Sequence, residues 1–112
     1  MFIYHKMISL VIKFALFVMI VLGTAHASVD CQYNKVIAIQ AQSSNVLIRV
    51  SDGVNNIWKS LGLYSSQNFQ TFQSLAQQAL ATDMRIILRF PDGYDCQSND
   101  YSTQPSVVRI FK

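Results

Sequence analysis

The sequence predicts a mainly β fold carrying one helix, in the order strand, strand, short strand, helix, strand, strand. Three observations lead there. Apolar and polar residues alternate over 35–42, 46–51 and 84–90, the period of a half-buried strand. Apolar residues recur at spacings of three and four only over 69–80, the period of a helix buried on one side. Asp52-Gly53 and Pro91-Asp92-Gly93 punctuate the chain where chain reversals are needed.

The first strand is read over Lys35 to Gln42, with Ile37, Ile39 and Ala41 on one face and Val36, Ala38, Gln40 and Gln42 on the other. Ser43-Ser44-Asn45 is a short polar turn, and Val46, Ile48 and Val50 then alternate with Leu47, Arg49 and Ser51, completing a hairpin that spans roughly 35–52. A short third strand is expected within 54–64, around Ile57, Trp58, Leu61 and Leu63.

Ser65-Ser66-Gln67-Asn68 supplies several N-cap candidates for a helix of about 14 residues carrying Phe69, Phe72, Leu75, Ala76, Ala79 and Leu80. Glutamines 70, 73, 77 and 78 fall mainly on its wet side, and Thr82-Asp83 ends it. Met84, Ile86, Leu88 and Phe90 form a fourth strand, 94–104 is a polar loop, and Val107 to Phe111 is the closing strand.

A single helix between the third and fourth strands is the element order of the OB-fold, a small Greek-key barrel. A ferredoxin-like fold needs two helices. The alternative to a barrel is an open antiparallel sheet with the helix packed on one face; a closed barrel is preferred because it removes exposed strand edges.

Ahead of this domain, residues 1–27 read as a signal peptide. Lys6 lies before an apolar stretch from Met7 to Leu22 broken only by Ser9 and Lys13, and Ala25-His26-Ala27 has the small-x-small form of a cleavage site. The alternative is an uncleaved anchor, but the uninterrupted run from Phe14 to Leu22 is far shorter than the roughly 20 residues that span a bilayer. Met7 is an alternative start. Cleavage would leave a single domain over 28–112, secreted or periplasmic, with no stable membrane insertion.

That removal changes the available chemistry. The 112-residue chain has no glutamate, and its two histidines, His5 and His26, both lie in the leader. A serine or cysteine nucleophile needs a base, most often histidine, and none would remain. The six aspartates (30, 52, 83, 92, 95 and 100) sit at turns and in loops, where solvated turn chemistry accounts for them, so the domain is not expected to be an enzyme. Asp92, Asp95 and Asp100 lack the spacing of an EF-hand. No metal and no cofactor are expected.

Without residues 1–27 the domain keeps three lysines and four arginines against six aspartates, a balance close to neutral. A nucleic-acid binder of this size would carry a dense basic face, so nucleic acid is not an expected partner. The two cysteines, Cys31 and Cys96, are expected to pair: the count is even, the compartment oxidising, and neither CxxC spacing nor a histidine is present to build a metal site. A domain of about 85 residues is marginal on core burial alone, which gives such a crosslink weight.

What remains suits recognition. Aromatic faces stack on the apolar faces of sugars, while amides and hydroxyls meet their polar groups. The candidate ligand-binding residues are Tyr33, Asn34, Trp58, Tyr94 and Tyr101. For Trp58 a place as a core plug is preferred over the binding role, whereas Tyr94 and Tyr101, in a polar loop, should be exposed.

Three segments resemble the B subunits of bacterial AB5 toxins of the pertussis, subtilase-cytotoxin and typhoid-toxin type. These are Lys35-Val36-Ile37 opening a strand, Ile57-Trp58 followed by the helix from Phe69 to Ala81, and Asp83-Met84-Arg85-Ile86-Ile87 turning into an arginine-bearing strand. The resemblance spans roughly 33–90. It implies OB-fold subunits that assemble as rings, usually pentamers and for this chain a homo-pentamer, bind sialylated or other host glycans and carry a separate catalytic A subunit. Family members with a sialic-acid site use a serine shortly before the first strand, where this chain has Gln32, Tyr33 and Asn34. The expected function is therefore a secreted, non-catalytic, glycan-binding subunit of such an assembly. The alternative is a periplasmic OB-fold envelope or inhibitor protein that binds another protein.

Overall fold

The computed structural model describes residues 27–112, so all but the last residue of the leader expected over 1–27 lies outside the described residues. The fold is mainly β with one helix: β1 (Val29–Tyr33), β2 (Lys35–Ala41), β3 (Asn45–Ser51), β4 (Asn56–Leu63), α1 (Phe69–Thr82), β5 (Arg85–Phe90) and β6 (Val107–Phe111). Two antiparallel three-stranded sheets result, ordered β1-β5-β6 and β2-β3-β4.

The strand missing from the sequence reading is β1. Its inward residues Cys31 and Tyr33 alternate with exposed Asp30 and Gln32, a pattern too short and too polar to stand out. Only Asn34 separates β1 from β2, and its backbone N–H donates to the Ser51 carbonyl at 2.7 Å. The chain bends there and serves one sheet with each half.

No closed barrel forms among the described residues; β4 and β6 do not pair, and the arrangement is of the open-sheet kind, divided into two. The edge of β4 is met by the loop instead. The Trp58 N–H donates to Asn99 Oδ1 at 3.0 Å, and the Asp100 N–H donates to the Trp58 carbonyl at 3.0 Å. Loop backbone and side chain thus satisfy edge groups that a closing strand would otherwise have paired.

Two bulges correct the simple alternation read for the hairpin. The register passes from Val36↔Val50 directly to Ala38↔Arg49, so Ile37 is extra. One added residue turns the following side chains over, which lets both Val36 and Ile39 face the core opposite Val50 and Ile48. The second bulge lies between Val46↔Gly62 and Leu47↔Ser60 and makes Leu61 the extra residue on β4.

The core gathers Tyr33, Val46, Ile48, Val50, Ile57, Leu61, Ile86, Leu88 and Phe90, with Phe69, Ala76 and Ala79 contributed by α1. Full burial of each large apolar side chain stabilises the fold by roughly 1.5–3 kcal/mol. The helix packs chiefly on β2 and β6. Asn68 makes no side-chain cap, contrary to the capping expected from the 65–68 cluster. The C-terminal end is regular: Asp83 takes the left-handed conformation at φ 56°, and the Met84 N–H reaches the Ala79 carbonyl.

In the other sheet, Asp30 and Arg89 are cross-strand partners of β1 and β5. Arg89 Nε and Nη2 donate to the two carboxylate oxygens at 2.7 and 3.2 Å. The pair is well exposed, so solvent screens it and it adds little to stability beyond favouring the register.

Candidate functional site

Loop 91–106 lies against β4 and is held at several points. Cys96 is bonded to Cys31 on β1, as the cysteine count predicts. Beside this crosslink the Tyr33 hydroxyl donates to the Cys96 carbonyl at 2.7 Å. Tyr33 is completely buried, so it lies beneath the loop and offers no surface to a ligand, in contrast to its expected place in a binding patch.

Lys59 is the attachment point that sequence reasoning missed. It lies on β4 between Ile57 and Leu61 in the inward-facing series and is fully buried. Its Nζ donates to the carbonyls of Asp95 at 3.0 Å and Ser98 at 2.6 Å. The ammonium also lies 4.4 Å from the Tyr94 ring centroid and 5.9 Å from that of Phe90. Burial pushes its pKa down, and the nearby charges of Asp100 and Asp95 oppose that shift. A lysine inside an otherwise apolar alternation was the available signal; a charge there needs a partner.

Tyr94, expected to be exposed, is half-buried. Its ring stacks on Phe90 with centroids 3.9 Å apart, and its hydroxyl donates to Asp100 Oδ2 at 2.8 Å. Burial, then the hydrogen bond to Asp100, pushes the phenol pKa far up. Burial also raises the Asp100 pKa, but hydrogen bonds from Thr103, Ser102 and Tyr94 outweigh it and hold the carboxyl well below the usual range. Asp100 is therefore a loop-building anion with its oxygens occupied.

The remaining candidates divide. Trp58, preferred as a core plug, is instead half-buried outside the core cluster, because it alternates with the inward Ile57 and Lys59, and its edge bonds to Asn99 and Asp100 border it. Tyr101 follows directly and is 53% exposed, and its carbonyl accepts from Asn45 Nδ2 at 2.9 Å. Asn99 is thus brought to the Trp58 edge of β4, with the exposed Tyr101 two residues further along the same loop. Asn34 sits at the β1–β2 bend, where a Cβ at Gly53 would come within 2.7 Å of its Nδ2; its side chain rests on that turn and belongs to a different contact set.

A second residue not singled out from the sequence, Arg49, joins the rim. It stands opposite Trp58 in the β3–β4 register, with its Cζ 5.6 Å from the indole centroid. No group of three His, Cys, Asp or Glu side chains able to hold a metal occurs among the described residues. No helix among them is long and apolar enough to cross a membrane.

The site is thus an aromatic and polar rim where the pinned loop meets β4, with Arg49 beside it on β3. Its chemistry is stacking, hydrogen bonding and one cation. No protein-family model, curated protein or solved structure matches the chain.

Proposed function

We propose that this domain is an exported, non-catalytic binding subunit that recognises glycans through the rim formed by Trp58, Asn99 and Tyr101. The observation that carries the reading is the half-buried Trp58 indole under the Arg49 guanidinium, on a strand whose edge is bound by a loop that a disulfide and a buried lysine fix and that carries the exposed Tyr101. Sugar sites need a rigid apolar platform with polar groups at its border, because stacking is weak and every mobile group that must be ordered subtracts from affinity.

Export is part of the proposal. Structural disulfides persist in oxidising compartments, and the apolar leader with its Ala25-His26-Ala27 site would deliver the chain there. The partial likeness to AB5-toxin B subunits extends the proposal to a homo-pentameric ring that carries a catalytic subunit.

The test is a broad glycan array probed with the purified domain, together with native mass spectrometry for oligomeric state. Saturable binding to a defined glycan set, lost in Trp58→Ala with the fold intact, is the expected result. An array that stays silent at high micromolar protein overturns the glycan reading, and a monomer at all concentrations overturns the ring.

A further inference from the structure

Among the described residues the Arg49 charge meets the Trp58 ring but no anion. Its Nε is buried without a hydrogen bond, and no ion pair or hydrogen bond to its guanidinium occurs among the described residues. The two terminal nitrogens, equally without a hydrogen-bond partner among the described residues, are not shut away from solvent as Nε is. A buried donor left unmade is costly and needs an explanation. Every other strongly placed polar group of this region is engaged: Lys59 by two carbonyls, and Asp100 by Tyr94, Ser102 and Thr103.

The row across the sheet is Ala38, Arg49, Trp58, from β2 through β3 to β4. Residues directly opposite on neighbouring strands are in reach of each other. The indole therefore lies on one flank of the guanidinium, and the small Ala38 side chain leaves the other flank low. We propose that Arg49 and Trp58 together form a subsite for an oxyanion-bearing sugar ring, with the guanidinium fork pairing a carboxylate or sulfate and the indole covering the ring's apolar face. The inference rests on the glycan-binding reading and names the charge class of its ligand.

Two physical points favour an oxyanion over a neutral sugar. Arginine presents parallel N–H donors that match a carboxylate or sulfate bidentately, and such charge-assisted bonds are roughly twice as strong as neutral ones. Asp100, the carboxylate of the loop segment that borders Trp58, has both oxygens engaged by Tyr94, Ser102 and Thr103 and makes no ion pair with Arg49.

Trp58 is the only tryptophan in the chain, so its emission reports on the site directly. Titrations with methyl glucuronide, methyl glucoside and glucose 6-sulfate separate the charge from the ring and carboxylate from sulfate. The expected result is a saturable emission change with at least one anionic sugar, about tenfold tighter than with the neutral glucoside and weakened by added salt. Arg49→Gln should abolish that preference while leaving the circular dichroism unchanged, and Arg49→Lys, which keeps the charge without the fork, should retain only part of it.

Equal affinity for neutral and anionic sugars overturns the subsite but leaves glycan binding standing, as does an anionic preference unchanged in both variants. If Arg49→Gln fails to fold, the wild-type comparison of charged with neutral sugars decides alone. No response to any of the three sugars overturns the subsite, and only a silent array in addition removes the glycan reading.

Discussion

The ammonium of Lys59 lies 4.4 Å from the centre of the Tyr94 ring, while the same nitrogen donates to two carbonyls of the loop that Tyr94 begins. One inward side chain from β4 therefore grips the loop from beneath, in addition to the disulfide and the bonds along the β4 edge. The strand supplies the stem and the loop supplies the cage, so neither arrangement is complete without the other.

Replacing that side chain should loosen the loop before it unfolds the domain. Lys59→Met keeps the stem volume and removes the charge and both hydrogen bonds. Two effects oppose each other: the buried ammonium no longer has to be desolvated, but the two carbonyls lose their donor. The net loss should be about 1–2 kcal/mol in chemical denaturation. Hydrogen exchange should show faster exchange across 95–100 with the β1–β5 ladder unaffected, and uniform acceleration everywhere would contradict this division of labour.

The Cys31–Cys96 crosslink closes a separation of 65 residues. On chain-entropy grounds it should stabilise the domain by about 4 kcal/mol. A Cys31→Ala/Cys96→Ala double variant, or the reduced wild type, should shift the denaturation midpoint accordingly. Because Cys96 lies in the loop under the rim, sugar binding should fall in parallel. A reduced protein with unchanged stability would mean that the lysine and backbone contacts hold the loop unaided.

Asp100 gives the fold an acid limit. Its carboxyl is held below the usual range in the folded protein, so the unfolded chain binds a proton first as pH falls. The stability this contributes is present above the unfolded value of about 3.9 and is lost as pH drops from there through the folded value. Asp100→Asn should be less stable than wild type at pH 7, and the two denaturation curves should approach each other in acid. A constant gap down to the lowest pH at which the protein folds would show that Asp100 stabilises by shape alone.

Gly62 has φ +134°, and a Cβ there would lie 3.3 Å from both Gln104 Oε1 and Ser66 Oγ. The backbone strain and the crowding act together, so Gly62→Ala should cost about 1–2 kcal/mol. A thermal melt of that variant checks it, and an unchanged midpoint would show that β4 relaxes freely at its bulge.

The elements legible in the sequence were those with a long uninterrupted period. The helix from Phe69 and the strand from Val107 to Phe111 stand where the spacing places them, because tertiary packing there follows the local pattern. Bulges defeat such reading: one extra residue at Ile37 changes which face Val36 shares, and nothing local in KVIAIQAQ announces it. Barrel closure failed for a related reason. Whether β4 meets β6 depends on what the 94–104 loop does at the β4 edge, a long-range choice made by Asn99 and Asp100. In the site, the reading valued aromatics as exposed binding groups, so it placed Tyr33 and Tyr94 in the patch and overlooked the cations Lys59 and Arg49. Both hydroxyls find internal acceptors that the chain pattern does not announce, the Cys96 carbonyl for Tyr33 and the Asp100 carboxylate for Tyr94.

Those two phenols yield a last expectation. Burial comes first among the causes that raise both pKa values, with the charges of Asp52 and Asp95 reinforcing it at Tyr33 and the bond to Asp100 at Tyr94. Each folded value thus lies above the unfolded value of about 10, so the neutral phenol is the form the fold selects. Below pH 10 neither group makes stability depend on pH. As pH rises past 10 the unfolded chain loses these protons first, and stability falls. Absorbance titration at 295 nm should therefore show part of the tyrosine signal appearing only together with loss of near-ultraviolet circular dichroism. Reduction of the disulfide should lower the pH of that step, because Tyr33 and Tyr94 are shielded by the loop that Cys96 anchors. If all phenols ionise reversibly near pH 10 with tertiary structure intact, the loop does not close over Tyr33 and Tyr94 in solution, and the rigid platform proposed for Trp58 loses its support.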